Sequence, residues 1–170
     1  AVTQAIARII DSGTRIRYLG IEKDPGLCRF LERRFPGLDF VCDDAERLAE
    51  IVDARGLGRA RAIVSGVPLI LMNENTLRLV LRSVYACLGD GGEFRAVSYL
   101  HSYPRAGARL LRGMIRIQFG ELQIRRIVWW NLPPGLALCA RRLAAAEPTV
   151  ESRAGSGTVV VDSTPAGSVV

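Results

Sequence analysis

The stretch Ala62-Ile63-Val64-Ser65-Gly66-Val67-Pro68-Leu69 decides how this chain is read. Ala62 to Val64 is a short apolar run without alternation, the pattern of a strand buried on both faces of a parallel sheet. A small residue, a glycine and a proline follow directly. At the C-terminal mouth of a buried strand they make a rigid, open loop whose backbone carbonyls face a cleft. Two acids stand at the mouths of two earlier candidate strands: Glu22 after Tyr18-Leu19-Gly20-Ile21, and Asp44 after Phe40-Val41-Cys42. The steps from Glu22 to Asp44 to Ser65 are each about one strand–helix unit. Ligands of open α/β sheets sit outside the carboxyl ends of the strands, so the three positions are expected to line one crevice.

On either side, strands and helices alternate. Val2 to Ile10 reads as a helix with Val2, Ile6 and Ile9 or Ile10 on one face. Arg15 to Glu22 is strand-like. Asp24-Pro25 is an N-cap with a first-turn proline for a helix from Gly26 to about Arg34, burying Leu27, Phe30 and Leu31. Leu38 to Cys42 is a strand, Ala45 to Ala54 a helix, and Arg61 to Val67 the central strand. Asn75 caps a long helix with Leu77, Val80, Leu81, Val84 and Leu88 toward the sheet, and Gly89 stands where a left-handed C-terminal residue is expected. Glu93 to Tyr99 is a strand and Arg105 to about Gln118 a helix. Arg125 to Asn131 and Leu136 to Arg142 are two strands joined through Pro133-Pro134-Gly135. The order predicts an α/β parallel sheet ending in an antiparallel pair, in one domain over residues 1–143. From Ala144 the chain is Ala, Gly, Ser, Pro and Val without helical period, read as a disordered tail in which Thr158 to Val161 can add a short strand.

At 170 residues, with 49% hydrophobic and 24% charged side chains, the chain is large enough for one real core. A formal net charge of +6 suits a polyanionic partner: nucleic acid, an anionic membrane surface or a phosphate-bearing substrate. An Arg-rich, Lys-poor composition set by genome bias accounts for the same charge without a partner. Cys28, Cys42, Cys87 and Cys139 form no C-x-x-C pair, and one histidine cannot complete a His-rich metal site. The cysteines are expected to be buried free thiols in a reducing compartment. No apolar run of about 18 residues and no signal peptide is visible, so no transmembrane helix is expected.

A carboxylate at the position of Glu22 can accept both ribose hydroxyls of a nucleoside cofactor; the plainer reading is a solvated helix-cap acid. Asp44 can accept from an exocyclic adenine amine, or simply cap the helix from Ala45. Ile21-Glu22-Lys23-Asp24-Pro25, Cys42-Asp43-Asp44-Ala45, Val64-Ser65-Gly66-Val67-Pro68-Leu69, Gly91-Gly92-Glu93-Phe94 and Trp130-Asn131-Leu132-Pro133-Pro134 follow one another in this order. Together they resemble the successive motifs of bacterial phospholipid N-methyltransferases, class I S-adenosylmethionine-dependent enzymes whose superfamily includes the rRNA adenine dimethylases. The resemblance runs from Ala1 to about Arg142.

It implies a Rossmann-like sheet of seven strands with an antiparallel last strand. It implies methyl transfer from S-adenosylmethionine to the amino group of phosphatidylethanolamine. Glu22 would hold the ribose and Asp44, beside Ala45, the adenine amine. Lys23, where the family often has an aromatic, would cover the adenine with its aliphatic stem. Ser65, Gly66, Val67 and Pro68 would line the site where amine meets sulfonium. Asp43 replaces a usual small residue. Val2-Thr3-Gln4-Ala5-Ile6 looks like the helix start just after the family's glycine-rich loop, so that loop and the central first strand are expected to be missing.

Tyr99 and Tyr103 are candidates for cation–π contact with a methylated head group, against ordinary aromatic packing. His101 is a candidate proton acceptor or plain polar surface. Trp129 and Trp130 alternate across a strand, so one is core. Arg105, Arg109, Arg112 and Arg116 share one helix face that can lie on an anionic membrane or grip phosphate, or be a solvated stripe. The expected setting is cytoplasmic and peripherally membrane-associated. The alternatives are an RNA adenine N-methyltransferase and a non-catalytic fragment that has lost cofactor binding. The RNA enzymes typically carry an aromatic where this chain has Leu69, which favours the lipid.

Overall fold

A computed structural model describes residues 2–11, 16–128 and 134–143. The order is α1 (Val2–Asp11), β1 (Leu19–Glu22), α2 (Pro25–Arg34), β2 (Asp39–Cys42), a 3-10 turn (Ala45–Arg47) running into α3 (Leu48–Ala54), and β3 (Ala60–Ser65). A second 3-10 turn (Leu69–Leu71) leads to α4 (Glu74–Cys87), β4 (Leu88–Tyr99), a third turn (Leu100–Ser102), α5 (Ala106–Phe119), β5 (Gln123–Val128) and β6 (Gly135–Arg141). The expected α/β alternation is present throughout. Trp129 to Pro133, with most of the Trp-Asn-Leu-Pro-Pro motif, and the tail from Ala144 lie outside the described residues.

The strands form two ladders. β1 pairs in parallel with β2, Leu19 opposite Asp39 and Glu22 opposite Cys42. β3 pairs in parallel with β4, ending with Ser65 opposite Ala96. β6 lies between β4 and β5, antiparallel to both, so the final strand is antiparallel as expected. The segment 45–54 carries the chain back along β2, so β3 starts at the end where β1 and β2 start. Among the described residues no ladder joins β1 to β3.

Both strands nevertheless belong to one packed layer. Leu19 and Ile21 share the main core with Ala60 and Ile63, under Leu48, Ile51, Leu77 and Leu81 of α3 and α4. On the opposite face Ile6 and Ile10 of α1 pack with Tyr18, Phe40 and Val64. Full burial of one such aliphatic side chain stabilises the fold by about 1.5–3 kcal/mol.

Several local expectations shift. Asn73, not Asn75, caps α4: its side-chain oxygen accepts from Thr76 N at 2.9 Å. Leu88 leaves the helix in extended conformation and opens β4, so Gly89 is not the left-handed terminator; the positive φ falls on Gly91 at 71°. Phe30 is exposed, because α2 turns Cys28 and Leu31 inward. Ile10 rather than Ile9 faces the core. β3 ends at Ser65, which releases Val67 into the following turn. All four cysteines are free, but Cys42 at the tip of β2 is exposed. Burial pushes the Cys28 and Cys87 thiols up to about 11.

Candidate functional site

Glu22 is the last residue of β1 and is buried, with 4% of its surface exposed. One oxygen, Oε1, accepts from Asp24 N at 2.9 Å. The same Asp24 caps α2 by accepting from Leu27 N at 2.7 Å, and Pro25 fixes the first turn. The chain therefore turns tightly over Glu22 and holds its carboxylate at the strand mouth. The neighbouring mouth is tied to it: Asp43 N donates to the Glu22 carbonyl at 3.1 Å.

Asp44 takes the capping role, one of the two that the sequence left open. It caps the turn after β2, its Oδ1 accepting from Glu46 N at 3.1 Å. Its other oxygen meets Lys23 Nζ at 2.5 Å. The Lys23 hydrogen bond holds the Asp44 carboxyl below the ordinary carboxylate range, and the same bond raises Lys23. Lys23 thus bridges the rim from the β1 mouth to the β2 mouth. Its side chain is 78% exposed, so the bridge can open at little cost. Asp43 is held apart by Arg47 at 2.8 Å. Ala45 begins the turn and packs partly against the main core.

The loop after β3 is rigid for a visible reason. Leu69 N donates to Val67 O at 2.7 Å across Pro68, whose φ of −74° and ψ of 67° are those of an inverse γ-turn. Leu71 N then donates to Pro68 O and Met72 N to Leu69 O. The carbonyls of Val67, Pro68 and Leu69 are consumed by the turn. Those of Ser65 and Gly66 precede it, at the strand mouth. Ser65 is buried. Leu69 is also buried, at 2% exposure, and points into the main core rather than toward the crevice.

The sequence reading missed what backs this loop. Gly107, in the first turn of α5, lies so close to it that a Cβ there would stand 2.2 Å from Ile70 O. A glycine inside an otherwise regular helix start was the available signal.

The helix α5 carries its core stripe on Ala108, Leu111, Ile115 and Phe119. Arg109, Arg112 and Arg116 each follow a core residue by one, about 100° around the helix. Two of these arginines also turn back on the preceding loop: Arg109 donates to Pro104 O, and Arg112 donates to Tyr103 O at 2.9 Å. Arg112 further stacks over the Tyr103 ring, 3.8 Å from its centre, covering a face offered for a methylated head group. Tyr99 ends β4 and stacks with His101 at 5.8 Å. Among the described residues there is no group of three or more His, Cys, Asp or Glu able to hold a metal, and no helix long and apolar enough to cross a membrane.

Chemically, the rim offers carboxylates at the first two strand mouths and backbone carbonyls at the third. All of them are acceptors, which fits a ligand presenting a ribose diol and amines.

No family model matches the sequence. Over 100 residues the chain is 29% identical to an ornithine lipid N-methyltransferase of Singulisphaera acidiphila, covering 57% of this chain and 51% of that protein. The chain thus spans about half of that relative's length. The N-methyltransferase NodS of Bradyrhizobium japonicum superposes with a TM-score of 0.54 at 14% identity, over 84% of this chain and 94% of that chain. The same enzyme in complex with S-adenosyl-l-homocysteine gives 0.53 at 14% identity, over 82% and 84%. A TehB-like SAM-dependent methyltransferase of Corynebacterium glutamicum gives 0.50 at 14% identity, over 80% and 86%. These likenesses establish the fold as the Rossmann-like one of the class I methyltransferases.

Proposed function

We propose that this chain is the core of an S-adenosylmethionine-dependent N-methyltransferase acting on the amine of a bacterial lipid. The observation that carries the reading is the order of acceptors along the rim: buried Glu22, capping Asp44, and the γ-turn loop after Ser65. The partial match to an ornithine lipid N-methyltransferase supports a lipid acceptor. Phosphatidylethanolamine, whose head group also ends in a primary amine, is the finer reading carried from the sequence.

When bound, S-adenosylmethionine supplies an activated methyl group on a sulfonium. Glu22 would hold the ribose hydroxyls and Asp44, released from Lys23, the adenine amine, with Ala45 beside it and the Lys23 stem over the ring. The carbonyls of Ser65 and Gly66 accept N–H bonds from the substrate amine and aim its lone pair; the Val67-Pro68 turn keeps them fixed. Catalysis of this kind comes largely from alignment. The amine must be neutral to react, and its proton leaves to solvent. Tyr99 faces the rim from β4, where its ring can meet the growing methylammonium. The stripe of Arg105, Arg109, Arg112 and Arg116 would meet an anionic lipid surface.

Incubation of the chain with methyl-labelled S-adenosylmethionine tests this. The acceptors are vesicles containing phosphatidylethanolamine or ornithine lipid, and, separately, RNA. Label is expected in the lipid. Label in RNA alone, or in neither, overturns the reading.

A further inference from the structure

The helix α5 carries apolar residues on two opposite faces. Ala108, Leu111, Ile115 and Phe119 face the core. Ala106, Leu110, Gly113 and Ile117, spaced by four, three and four, form a second row on the side turned away from it. Ile117 stands 86% exposed in that row, and Leu71, in the turn before α4, is 76% exposed. Between the row and α4 runs a groove of about 270 Å³, lined by Leu81 of α4 and by Leu110 and Met114 of α5. Gly113 keeps it open, since nothing lies within 4 Å of the place its Cβ would take. α4 follows the mouth of β3 and α5 the mouth of β4, so both helices start on the side of the crevice and the groove runs away from it.

An exposed apolar strip rimmed by polar side chains marks a surface that is covered in use. The charges beside this one select the cover. Arg109 and Arg116 flank the outer row on α5, and Arg78 and Arg82 line the groove from α4. α5 contains no acidic residue, and the acid in the groove wall, Glu74, is already paired with Arg78. A second copy docked face to face would set these arginines against their own counterparts, an unfavourable juxtaposition. An RNA backbone would satisfy the arginines and leave the apolar row in water. A bilayer containing anionic lipid satisfies both. We propose that the α4–α5 groove seats one acyl chain of an anionic phospholipid, with Ile117 inserted beside it and the flanking arginines on the phosphates. The face is then held by an inserted apolar row as well as by charge. The lipid as partner rests on the proposed function, but the groove owes nothing to the adenosyl crevice, so either can fail alone.

Binding of the whole chain, without cofactor, to vesicles of phosphatidylglycerol and phosphatidylcholine tests this; neither lipid offers a primary amine to methylate. Ile117→Asp is expected to weaken binding about tenfold or more, through the loss of one inserted aliphatic side chain. Phe30→Ser, at an exposed apolar position of α2, is expected to leave it unchanged. In the unaltered chain, phosphatidylglycerol with a photoreactive diazirine in its acyl chain is expected to leave adducts on Leu81, Leu110, Met114 or Ile117, mapped by mass spectrometry. No vesicle binding, equal affinity of Ile117→Asp and the unaltered chain, or an equal loss in Phe30→Ser overturns the proposal. So does the absence of adducts within α4 and α5. A dimer that Ile117→Asp dissolves without loss of vesicle affinity assigns the face to a second copy and overturns it too.

Discussion

Asp44 stabilises the fold at the position where the proposed function puts the adenine amine. It caps the turn after β2 and pairs with Lys23 across the rim. The Lys23 hydrogen bond holds its carboxyl below the ordinary range. A carboxyl lowered on folding adds stability above its unfolded pKa and loses it as pH falls through the folded value. Lys23→Met should therefore raise the Asp44 titration midpoint, followed by the NMR shift of its carboxyl carbon. Its cost in stability should be present at neutral pH and vanish in acid. A midpoint that does not move would show that the turn amides alone set this carboxyl. The sequence read the cap at Asp44, because an acid between a strand and a turn invites one. It did not read the Lys23 partnership, which depends on the mouths of β1 and β2 standing side by side. Nor did it read the inward turn of Leu69, since a γ-turn at Pro68 reverses where the next side chain points.

At the scale of elements, α5 holds the loop before it and is proposed to meet a lipid surface, two separate tasks. Its arginine stripe was legible from spacing alone; that Arg109 and Arg112 reach back to the Tyr103–Pro104 turn was not, because a loop's path is not periodic. The two tasks separate by substitution. Charge reversal at Arg105 and Arg116, and in a second variant at Arg109 and Arg112, should each weaken binding to anionic vesicles on the order of tenfold or more, from about 1 kcal/mol per residue near the surface. Only the second pair should loosen the loop before α5, seen as faster amide exchange there. Vesicle affinity untouched by the Arg105 and Arg116 reversal would return the stripe to a solvated surface. Helix ends moved by one or two residues, as at Asn73, because Ser, Asn and Asp caps compete over adjacent positions. The apolar faces of α4 and α5 came through well, since burial follows the 3.6-residue period.

At the scale of the molecule, the doubly wound order was legible because strand–helix spacing and the Ser65-to-Pro68 loop repeat a pattern that only a parallel sheet satisfies. Among the described residues no ladder joins β1 to β3, and the two strands meet only through the shared core. The proposed function requires one crevice for an adenosyl ligand, anchored by the buried Glu22. Calorimetric titration of the whole chain with S-adenosylhomocysteine, beside the Glu22→Ala variant, tests that most directly. One saturable site is expected, weakened about tenfold or more in Glu22→Ala by the loss of a charge-assisted hydrogen bond worth about 1.5–3 kcal/mol. No saturable binding, or equal affinity in the two proteins, would contradict it.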